Sequence, residues 1–156
     1  MSLVTLYLAE HHVPFEVLPH RQVFSSDQEA RVLGVNADMV VKTVVLATAN
    51  GYCLAVIPAS CRVDLPLVRA VLGDADARLA SEAELLAAFP RYELGALPPL
   101  GGLLGVPVLV DPRVLSHTTV VFAGGIETES VKARAAEVFG EEPKLVAQIV
   151  RDPELD

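Results

Sequence analysis

The sequence predicts an α+β fold, arranged as a compact mixed sheet or partly closed barrel with peripheral helices. The chain contains many short strand-like segments and several short helices, and these do not follow a regular βαβ order. Of its 156 residues, 52% are hydrophobic and 21% charged, which is sufficient for a full core. Because no repeat or long linker divides the chain, we expect a single domain over residues 1–156.

The N-terminal part contains two predicted helices with a strand between them. The first helix covers residues 2–12 and ends before Pro14, and an alternating strand follows at 15–18. The second helix, 27–33, begins with the Ser-Asp-Gln-Glu form of a capping box, and Gly34 is a natural helix stop.

A β-hairpin is predicted next. Residues 39–48 and 52–58 are rich in β-branched side chains, which favour strands. The two strands are joined at Asn50 and Gly51, a dipeptide that is a strong signal for a tight hairpin turn. We therefore expect the strands to pair antiparallel.

The middle of the chain combines capped helices with short strands. Asp64 is a suitable cap for a helix over 65–72, and Gly73 ends it. A short strand at 77–80 precedes a second capping box, Ser-Glu-Ala-Glu, which opens a helix over about 81–89.

The C-terminal part is mainly extended. Residues 90–105 are predicted as a loop, and 106–110 as an edge strand because a proline lies near its start. The remaining predicted elements are the strands 118–123 and 128–133, a short helix near 134–139, and a final segment at 144–150.

Charge and hydropathy exclude several classes of function. The formal net charge is −8 and the pI about 4.9, whereas general DNA or RNA binders carry a basic patch. No apolar run approaches the ~20 residues that span a bilayer. The first residues lack the basic start and small-residue cleavage site of a signal peptide. We therefore expect a cytoplasmic protein without DNA or membrane contacts.

No metal or cofactor site is predicted. The two cysteines, Cys53 and Cys61, have the spacing of neither a zinc knuckle nor a dithiol redox motif. His11, His12 and His117 have no carboxylate or cysteine at ligand spacing. We expect free thiols, no metal and no cofactor.

Lys42 is the most informative residue of the chain. Alternation along its strand places Lys42 on one face with Val40, Val44 and Leu46. A charged amine is rarely found among aliphatic side chains unless something pairs with it. Lys42 is therefore a candidate cationic anchor of a pocket, and the alternative is a solvated lysine on an edge strand.

The loop 95–101 is the second candidate feature. Its sequence, Gly-Ala-Leu-Pro-Pro-Leu-Gly, is stiff and carries little side-chain bulk. Backbone N–H groups near Gly95 and Gly101 can donate to an oxyanion, whereas the two prolines contribute none. The loop suits the wall of a pocket, and the alternative is a simple turn.

Four other residues have two interpretations each. His20 has the chemistry of a general base, but a lone histidine between a strand and a turn is more often structural. Asp111 either orients a site residue or caps the turn at Pro112. Gly124 and Gly125 permit a close backbone approach or a bulge.

Several stretches of the chain occur in the order and spacing of one known family. They are Leu18-Pro19-His20 with Ser25-Ser26 and Glu29-Ala30, the lysine strand 40–45, the loop 95–101, Val110-Asp111, and Val121-Phe122-Ala123-Gly124-Gly125. Together they resemble the YbaK / prolyl-tRNA-synthetase-associated domain family of aminoacyl-tRNA deacylases. The similarity spans nearly the whole chain.

The resemblance implies a trans-editing enzyme that hydrolyses the ester between a wrong amino acid and the 3′ end of a tRNA, without a metal. The implied fold is a mixed sheet curled into an incomplete barrel with helices around it. Lys42 would hold the phosphate or ribose of the terminal nucleotide, and Gly95 and Gly101 complete the expected catalytic set. The expected substrate-binding residues are His20, Ser26, Ala96, Leu97, Pro98, Pro99, Asp111, Gly124 and Gly125.

An aminoacyl ester is already activated, so such an enzyme needs mainly positioning and charge stabilisation. We expect a small amino acid such as alanine, serine or cysteine, the 3′ end of an aminoacyl-tRNA as partner, and an aminoacyl-tRNA synthetase as a second partner. No Ser–His–acid or Cys–His arrangement is visible, which disfavours a covalent nucleophile. Two alternatives stay open: a catalytically inactive module that binds an aminoacyl group or amino acid and regulates translation, and a structural partner protein.

Overall fold

Short helices surround two groups of strands. The computed structural model describes residues 2–151. The helices are α1 Leu3–Glu10, α2 Ser26–Leu33, α3 Leu65–Leu72, α4 Glu82–Ala88, α5 Gly101–Leu104, α6 Pro112–Leu115 and α7 Ala135–Phe139. The strands are β1 Phe15–Pro19, β2 Val41–Thr48, β3 Gly51–Pro58, β4 Arg78–Leu79, β5 Val108–Val110, β6 Thr119–Ala123, β7 Glu129–Arg134 and β8 Leu145–Val146.

This content is the mixed α+β class that the sequence predicts. Residue 1 and residues 152–156 of the expected domain lie outside the described part of the chain. Within that part, no helix has the length and apolar character needed to cross a membrane.

The strands form two sheets rather than the one curled sheet that the resemblance implies. In the larger sheet, with order β4-β2-β3-β5-β8, β2 is antiparallel to β3 and β4, and β5 is parallel to β3 and β8. The smaller sheet is antiparallel with order β1-β7-β6. A parallel bridge between Val40 and Val121 connects the two sheets. The strands separate beyond this bridge, so the sheets do not close into a barrel.

The main hydrophobic core combines side chains of both sheets. Val45, Val56 and Val110 of the larger sheet pack with Phe122 and Val131 of the smaller one. A second cluster covers the other face of the larger sheet, where helix α3 packs. Burial of these apolar faces is the main stabilising contribution to the fold.

Alternation along β2 agrees with the prediction from its sequence. Val41 and Val45 belong to the main core, whereas Val44 and Leu46 belong to the cluster on the other face. Lys42 therefore lies on the Val44 side of the strand.

The predicted hairpin is present with a turn one residue earlier than expected. Thr48 pairs with Gly51, so the two turn residues are Ala49 and Asn50. Gly51 has φ +106 and begins β3, and this conformation favours glycine. Cys53 of β3 is buried, and its thiol is free.

Capping residues locate the helix ends accurately. The Asp64 side chain accepts a hydrogen bond from the Leu67 N–H, and Gly73 with φ +64 ends α3 as predicted. The capping box between Ser81 and Glu84 opens α4. These signals are local, so the sequence alone contains them.

The segment around β5 differs from its prediction. β5 lies between β3 and β8 and is not an edge strand. Pro107 precedes the first paired residue of the strand, and its carbonyl accepts a hydrogen bond from the Leu54 N–H at 2.9 Å. The position thus contributes an acceptor to the sheet although proline has no N–H. The predicted loop 90–105 contains α5, and α6 follows β5 without having been predicted. Both helices have four residues, too few for a periodic signal.

Candidate active site

A cavity opens where the two sheets separate. Beyond the bridge between Val40 and Val121, the gap between β2 and β6 encloses about 310 Å³. This volume is at the lower end of the range for small-molecule sites. Five segments line the cavity: Phe24, Ser25 and Ser26; residues 41–45; Leu79, Ala80 and Leu85; Gly95 and Leu97; and Ala123.

The cavity runs along the edge of strand β2. Five consecutive residues, 41–45, line it, although alternate side chains of a strand point to opposite faces. On this side of β2, strand β4 pairs only with Leu46 and Ala47. Between these residues and the bridge at Val40, the edge therefore faces the cavity instead of another strand.

Backbone groups of Thr43 point toward this cavity. The Ala59 N–H donates to the Val40 carbonyl at 2.8 Å, so the even-numbered residues of β2 bond toward β3. The odd-numbered residues bond on the opposite side, where the Ala80 N–H donates to the Val45 carbonyl at 2.9 Å. By this alternation, the N–H and C=O of Thr43 are directed across the edge of the sheet.

Lys42 supplies positive charge to the cavity. Its ammonium group donates to the carbonyl oxygen of Cys61 at 2.9 Å, so the expected pairing is made with the backbone. Partial burial lowers the pKa of Lys42, and nearby Asp27 and Cys61 oppose this effect. Because the ammonium has lost part of its hydration, an anionic group of a ligand would be favoured beside it.

Gly95 holds the glycine- and proline-rich loop against residue 24. It has φ +80, and a Cβ at this position would lie 2.5 Å from the carbonyl oxygen of Phe24. Only glycine tolerates this conformation together with this approach. The next residue, Ala96, accepts a hydrogen bond from the Gly125 N–H at 3.0 Å, and Leu97 lines the cavity. The loop thus forms part of the cavity wall.

A comparison with protein families identifies this arrangement. The model of the aminoacyl-tRNA editing domain matches residues 20–139, about three quarters of the chain. The chain belongs to the aminoacyl-tRNA editing domain family. The resemblance drawn from the sequence stretches is thereby confirmed.

Individual relatives support the same assignment. A proline–tRNA ligase of Pseudothermotoga lettingae is 29% identical over 111 residues, which is 71% of this editing domain but 19% of the ligase. The chain therefore spans about a fifth of that relative's length.

Solved structures share the fold. A crystal structure described only as a hypothetical protein has a TM-score of 0.84 at 23% identity, covering 96% of this chain and 100% of the other. A second, described as a candidate trans-editing enzyme for prolyl-tRNA synthetase, has a TM-score of 0.78 at 22% identity and covers 96% of both chains.

The editing domain brings only some of the expected site residues together. Those that line the cavity are Lys42, Ser26, Gly95 and Leu97. Ala96, Pro98 and Pro99 of the same loop are buried and lie outside the lining. Gly101 begins α5, where a Cβ would lie 2.3 Å from the Val108 Cγ2 atom, so it packs against β5 and away from the cavity.

Asp111 has a capping role at a distance from the cavity lining. Its side chain accepts hydrogen bonds from the Arg113 N–H at 2.9 Å, the Ile149 N–H at 2.9 Å and the Val150 N–H at 3.3 Å. The carboxylate therefore caps α6 and fastens the C-terminal segment to it. These hydrogen bonds agree with the capping interpretation of Asp111.

Gly124 and Gly125 follow Ala123, which lines the cavity, but are themselves outside the lining. Gly125 has φ +92, and a Cβ there would lie 3.2 Å from a ring carbon of Tyr92. The Glu93 N–H donates to the Gly125 carbonyl at 3.0 Å. These contacts agree with the close-approach interpretation, and the approaching group is the loop near residue 93.

His20 belongs to a polar chain that is otherwise buried. Its Nε2 atom lies 2.8 Å from the hydroxyl of Ser130, which donates to the carboxylate of Glu29. Ser130 is fully buried and Glu29 is 3% exposed. Burial raises the pKa of Glu29 to about 7, and the Ser130 hydrogen bond acts in the opposite direction. This chain connects α2 to β7, and none of its members lines the cavity.

Reasoning from the sequence missed several lining residues. Phe24 is 62% exposed at the cavity, and its only signal is an aromatic residue beside two serines in a polar turn. Thr43, Leu79, Leu85 and Ala123 carry no local signal, because distant segments bring them together. The apolar character of the lining is therefore a tertiary property.

Proposed function

We propose that this editing domain hydrolyses the ester bond between a small amino acid and the 3′-terminal ribose of a tRNA. The observation that carries the proposal is the cavity at the open edge of β2, which Lys42 and Thr43 both line. Its 310 Å³ suits a small aminoacyl group, and larger side chains are rejected sterically. Family membership supports tRNA esters as the substrate class.

The residues of the cavity suit separate parts of this substrate. Lys42 binds the phosphate or ribose of the terminal nucleotide through its charge. The Thr43 N–H donates to the ester carbonyl oxygen, where negative charge develops when water attacks. Water adds to the carbonyl carbon, the bond to the ribose oxygen breaks, and a proton of the water passes to that oxygen. An activated ester requires little beyond this positioning.

The proposed partners follow from the net charge of the chain and from the name of one relative. A relative is named proline–tRNA ligase, which supports a tRNA charged by that class of synthetase as the substrate. Because the net charge is −8, electrostatic affinity of the domain for tRNA is weak. We infer that an aminoacyl-tRNA synthetase contributes part of the tRNA affinity, in the cytoplasm where tRNA is charged.

The test is deacylation of tRNAs charged with alanine, serine, cysteine or proline. We expect the wild type to hydrolyse at least one ester and Lys42→Ala to lose ~100-fold or more of kcat/KM, as for a removed group that stabilises charge. Lys144→Ala is a matched control, because that ammonium also donates to a backbone carbonyl, of Phe139 at 2.7 Å, outside this cavity. Equal activity of Lys42→Ala and Lys144→Ala would exclude the proposed role.

One observation favours a second function, a binding module without catalysis. The described lining contains no histidine, carboxylate or cysteine that could act as a general base. This alternative predicts that a non-hydrolysable 3′-aminoacyl-adenosine analogue binds with dependence on Lys42, while every ester of the panel survives. Enzymatic hydrolysis of any of the four esters that depends on Lys42 would exclude it.

A further inference from the structure

Three cationic side chains lie close to Cys61, in the turn that follows β3. The Lys42 ammonium donates to the Cys61 carbonyl oxygen at 2.9 Å, and the Arg113 guanidinium donates to the Cys61 Sγ atom at 3.6 Å. Arg62 is the next residue of the chain and is exposed. Desolvation lowers the pKa of Lys42, and the nearby charge of Arg62 acts in the same direction. We call Lys42, Arg62 and Arg113 the Cys61 patch.

The composition of the chain does not favour such a patch. The whole sequence has 12 lysine and arginine residues against 20 aspartate and glutamate residues. Two carboxylates offset part of the local charge, because Asp27 acts on Lys42 and Asp38 accepts a hydrogen bond from the Ser60 hydroxyl. Clustered cations raise the local concentration of an anionic ligand, so the patch is suited to an anion.

The other charged groups near the cavity disfavour anions. On α4, Glu84 lies beside the lining residue Leu85 and neutralises Arg78 at 2.7 Å. Near the lining residue Gly95, the Glu93 carboxylate accepts a hydrogen bond from the Glu127 N–H at 2.9 Å. Positive charge without a neutralising carboxylate is therefore concentrated on the Lys42 side of the cavity.

This asymmetry matters for a substrate that extends beyond the cavity. A tRNA whose terminal ester lies in the cavity leaves it as an RNA strand with a negative phosphate at each nucleotide. Carboxylates repel these phosphates, whereas arginine binds them through its planar set of N–H donors. Lys42 belongs both to the cavity lining and to the Cys61 patch, so the two are continuous.

We propose that the Cys61 patch binds the phosphate groups of the nucleotides that precede the 3′-terminal one in tRNA, and thereby sets the direction in which the RNA strand leaves the cavity. This inference rests on the proposed function, because it requires the terminal ester to lie in the cavity. Contacts of this kind position a nucleic acid without reading its base sequence. The patch therefore aligns the strand, and the cavity selects the amino acid.

The test compares wild type, Arg62→Gln and the double variant Arg62→Gln/Arg113→Gln on two substrates. One is a tRNA carrying an ester of the panel that wild type hydrolyses, and the other is the same amino acid esterified to adenosine, which has no phosphate. Arg134→Gln is the matched control, because Arg134 is an exposed arginine at the end of β7, outside the cavity lining.

We expect Arg62→Gln to lower kcat/KM on the tRNA by about two- to fivefold, as for loss of an exposed ion pair. The double variant should lose more. Neither should change kcat/KM on the adenosine ester. An equal loss on both substrates would overturn the inference, since it indicates a change in the cavity itself. No loss on the tRNA, or the same loss in Arg134→Gln, would overturn it as well.

The salt dependence is a readout that a purely structural role would not move. The logarithm of kcat/KM on the tRNA should fall less steeply with the logarithm of salt concentration in Arg62→Gln than in wild type. The slope should decrease by about 0.7 for each phosphate contact removed, the value for single-stranded nucleic acid. A lower rate with an unchanged slope would contradict phosphate binding.

If wild type hydrolyses no ester, binding replaces the rate. The ligand is a tRNA that ends in the amide-linked analogue 3′-alanylamino-3′-deoxyadenosine, and fluorescence anisotropy measures its affinity. Weaker binding by Arg62→Gln than by Arg134→Gln, with a shallower salt slope, would support the inference while the proposed hydrolysis fails. Equal binding by the two variants, or no binding by wild type, would refute it.

Discussion

Replacing Gly95 by alanine tests whether the loop 95–101 is held against the segment that bears Phe24. The substitution has two physical effects. Alanine at φ +80 adopts a backbone conformation that costs an L-residue about 1–2 kcal/mol. Its Cβ would also lie 2.5 Å from a backbone carbonyl oxygen, so one of the two segments must move.

The contact is the larger of the two effects. Overpacking that displaces backbone typically costs about 1–3 kcal/mol, which brings the expected loss in unfolding free energy to about 2–5 kcal/mol. Gly73→Ala is a matched control, because Gly73 has φ +64 and no neighbouring atom within 4 Å of an added Cβ. Gly73→Ala should therefore lose unfolding free energy only through its backbone conformation, about 1–2 kcal/mol.

Urea unfolding followed by circular dichroism measures both variants under one set of conditions. At ~2–4 °C for each kcal/mol in a domain of this size, Gly95→Ala should also melt several degrees below Gly73→Ala. Because Phe24 and Gly95 both line the cavity, Gly95→Ala should lower the proposed deacylation more than the control does. Unfolding free energies that agree within about 0.5 kcal/mol would refute the view that contact with Phe24 constrains the loop.

Two further predictions concern buried carboxyl groups. The pKa of Glu29 is about 7 in the folded protein against an ordinary 4.5. As pH rises, this carboxyl group therefore loses its proton in the unfolded chain before it does so in the folded protein. The unfolding free energy should fall by about 3 kcal/mol as pH rises from 4.5 through 7. Glu29→Gln should remove this slope in thermal melts over that interval, and an unchanged slope would contradict the assignment. Asp111→Asn should lower the unfolding free energy by about 2–3 kcal/mol in urea at pH 7. Asparagine has one acceptor oxygen and one NH₂ group in place of two carboxylate oxygens, so the N–H groups of 149–150 and of Arg113 cannot all keep their acceptors. The exposed Asp76→Asn is the control, and an equal small effect of both variants would exclude the capping role.

Local signals account for the parts of the fold that the sequence predicted well. The cap at Asp64 and the stop at Gly73 define α3 because both act through hydrogen bonds within a few residues. Alternation along β2 assigned Lys42 to its face for the same reason, since side-chain direction in a strand depends only on residue parity. Both kinds of signal depend only on residues within the same helix or strand.

The division into two sheets was not predictable in this way. Strand β5 has three residues, and its place between β3 and β8 depends on partners distant in sequence. A proline near its start favours an edge strand in general, but here Pro107 lies one residue before the first registered pair, Leu54 with Val108. Which strands pair is decided by burial of both faces, and no single segment contains that information.

The candidate site shows the same distinction. Local pattern and family resemblance identified Lys42 and the loop of Gly95, because a charge in an aliphatic strand and a run of glycine and proline are visible in sequence. Gly101 and Asp111 have equally visible signals, yet Gly101 packs against β5 and Asp111 caps α6. Residue chemistry alone therefore suggests candidates for a site but does not show which of them lie close together.

By itself, the sequence determined the α+β class, the capped helix ends, the hairpin and the family, since each is encoded in local pattern or in the order of motifs. Only the tertiary structure decided that β2 and β6 separate after one bridge and leave an edge of β2 open to a cavity. It likewise decided that Lys42 and Arg113 lie beside Cys61. The physical reason is that pairing and packing are set by segments far apart in the chain, so the neighbours of a residue become apparent only when the chain is folded.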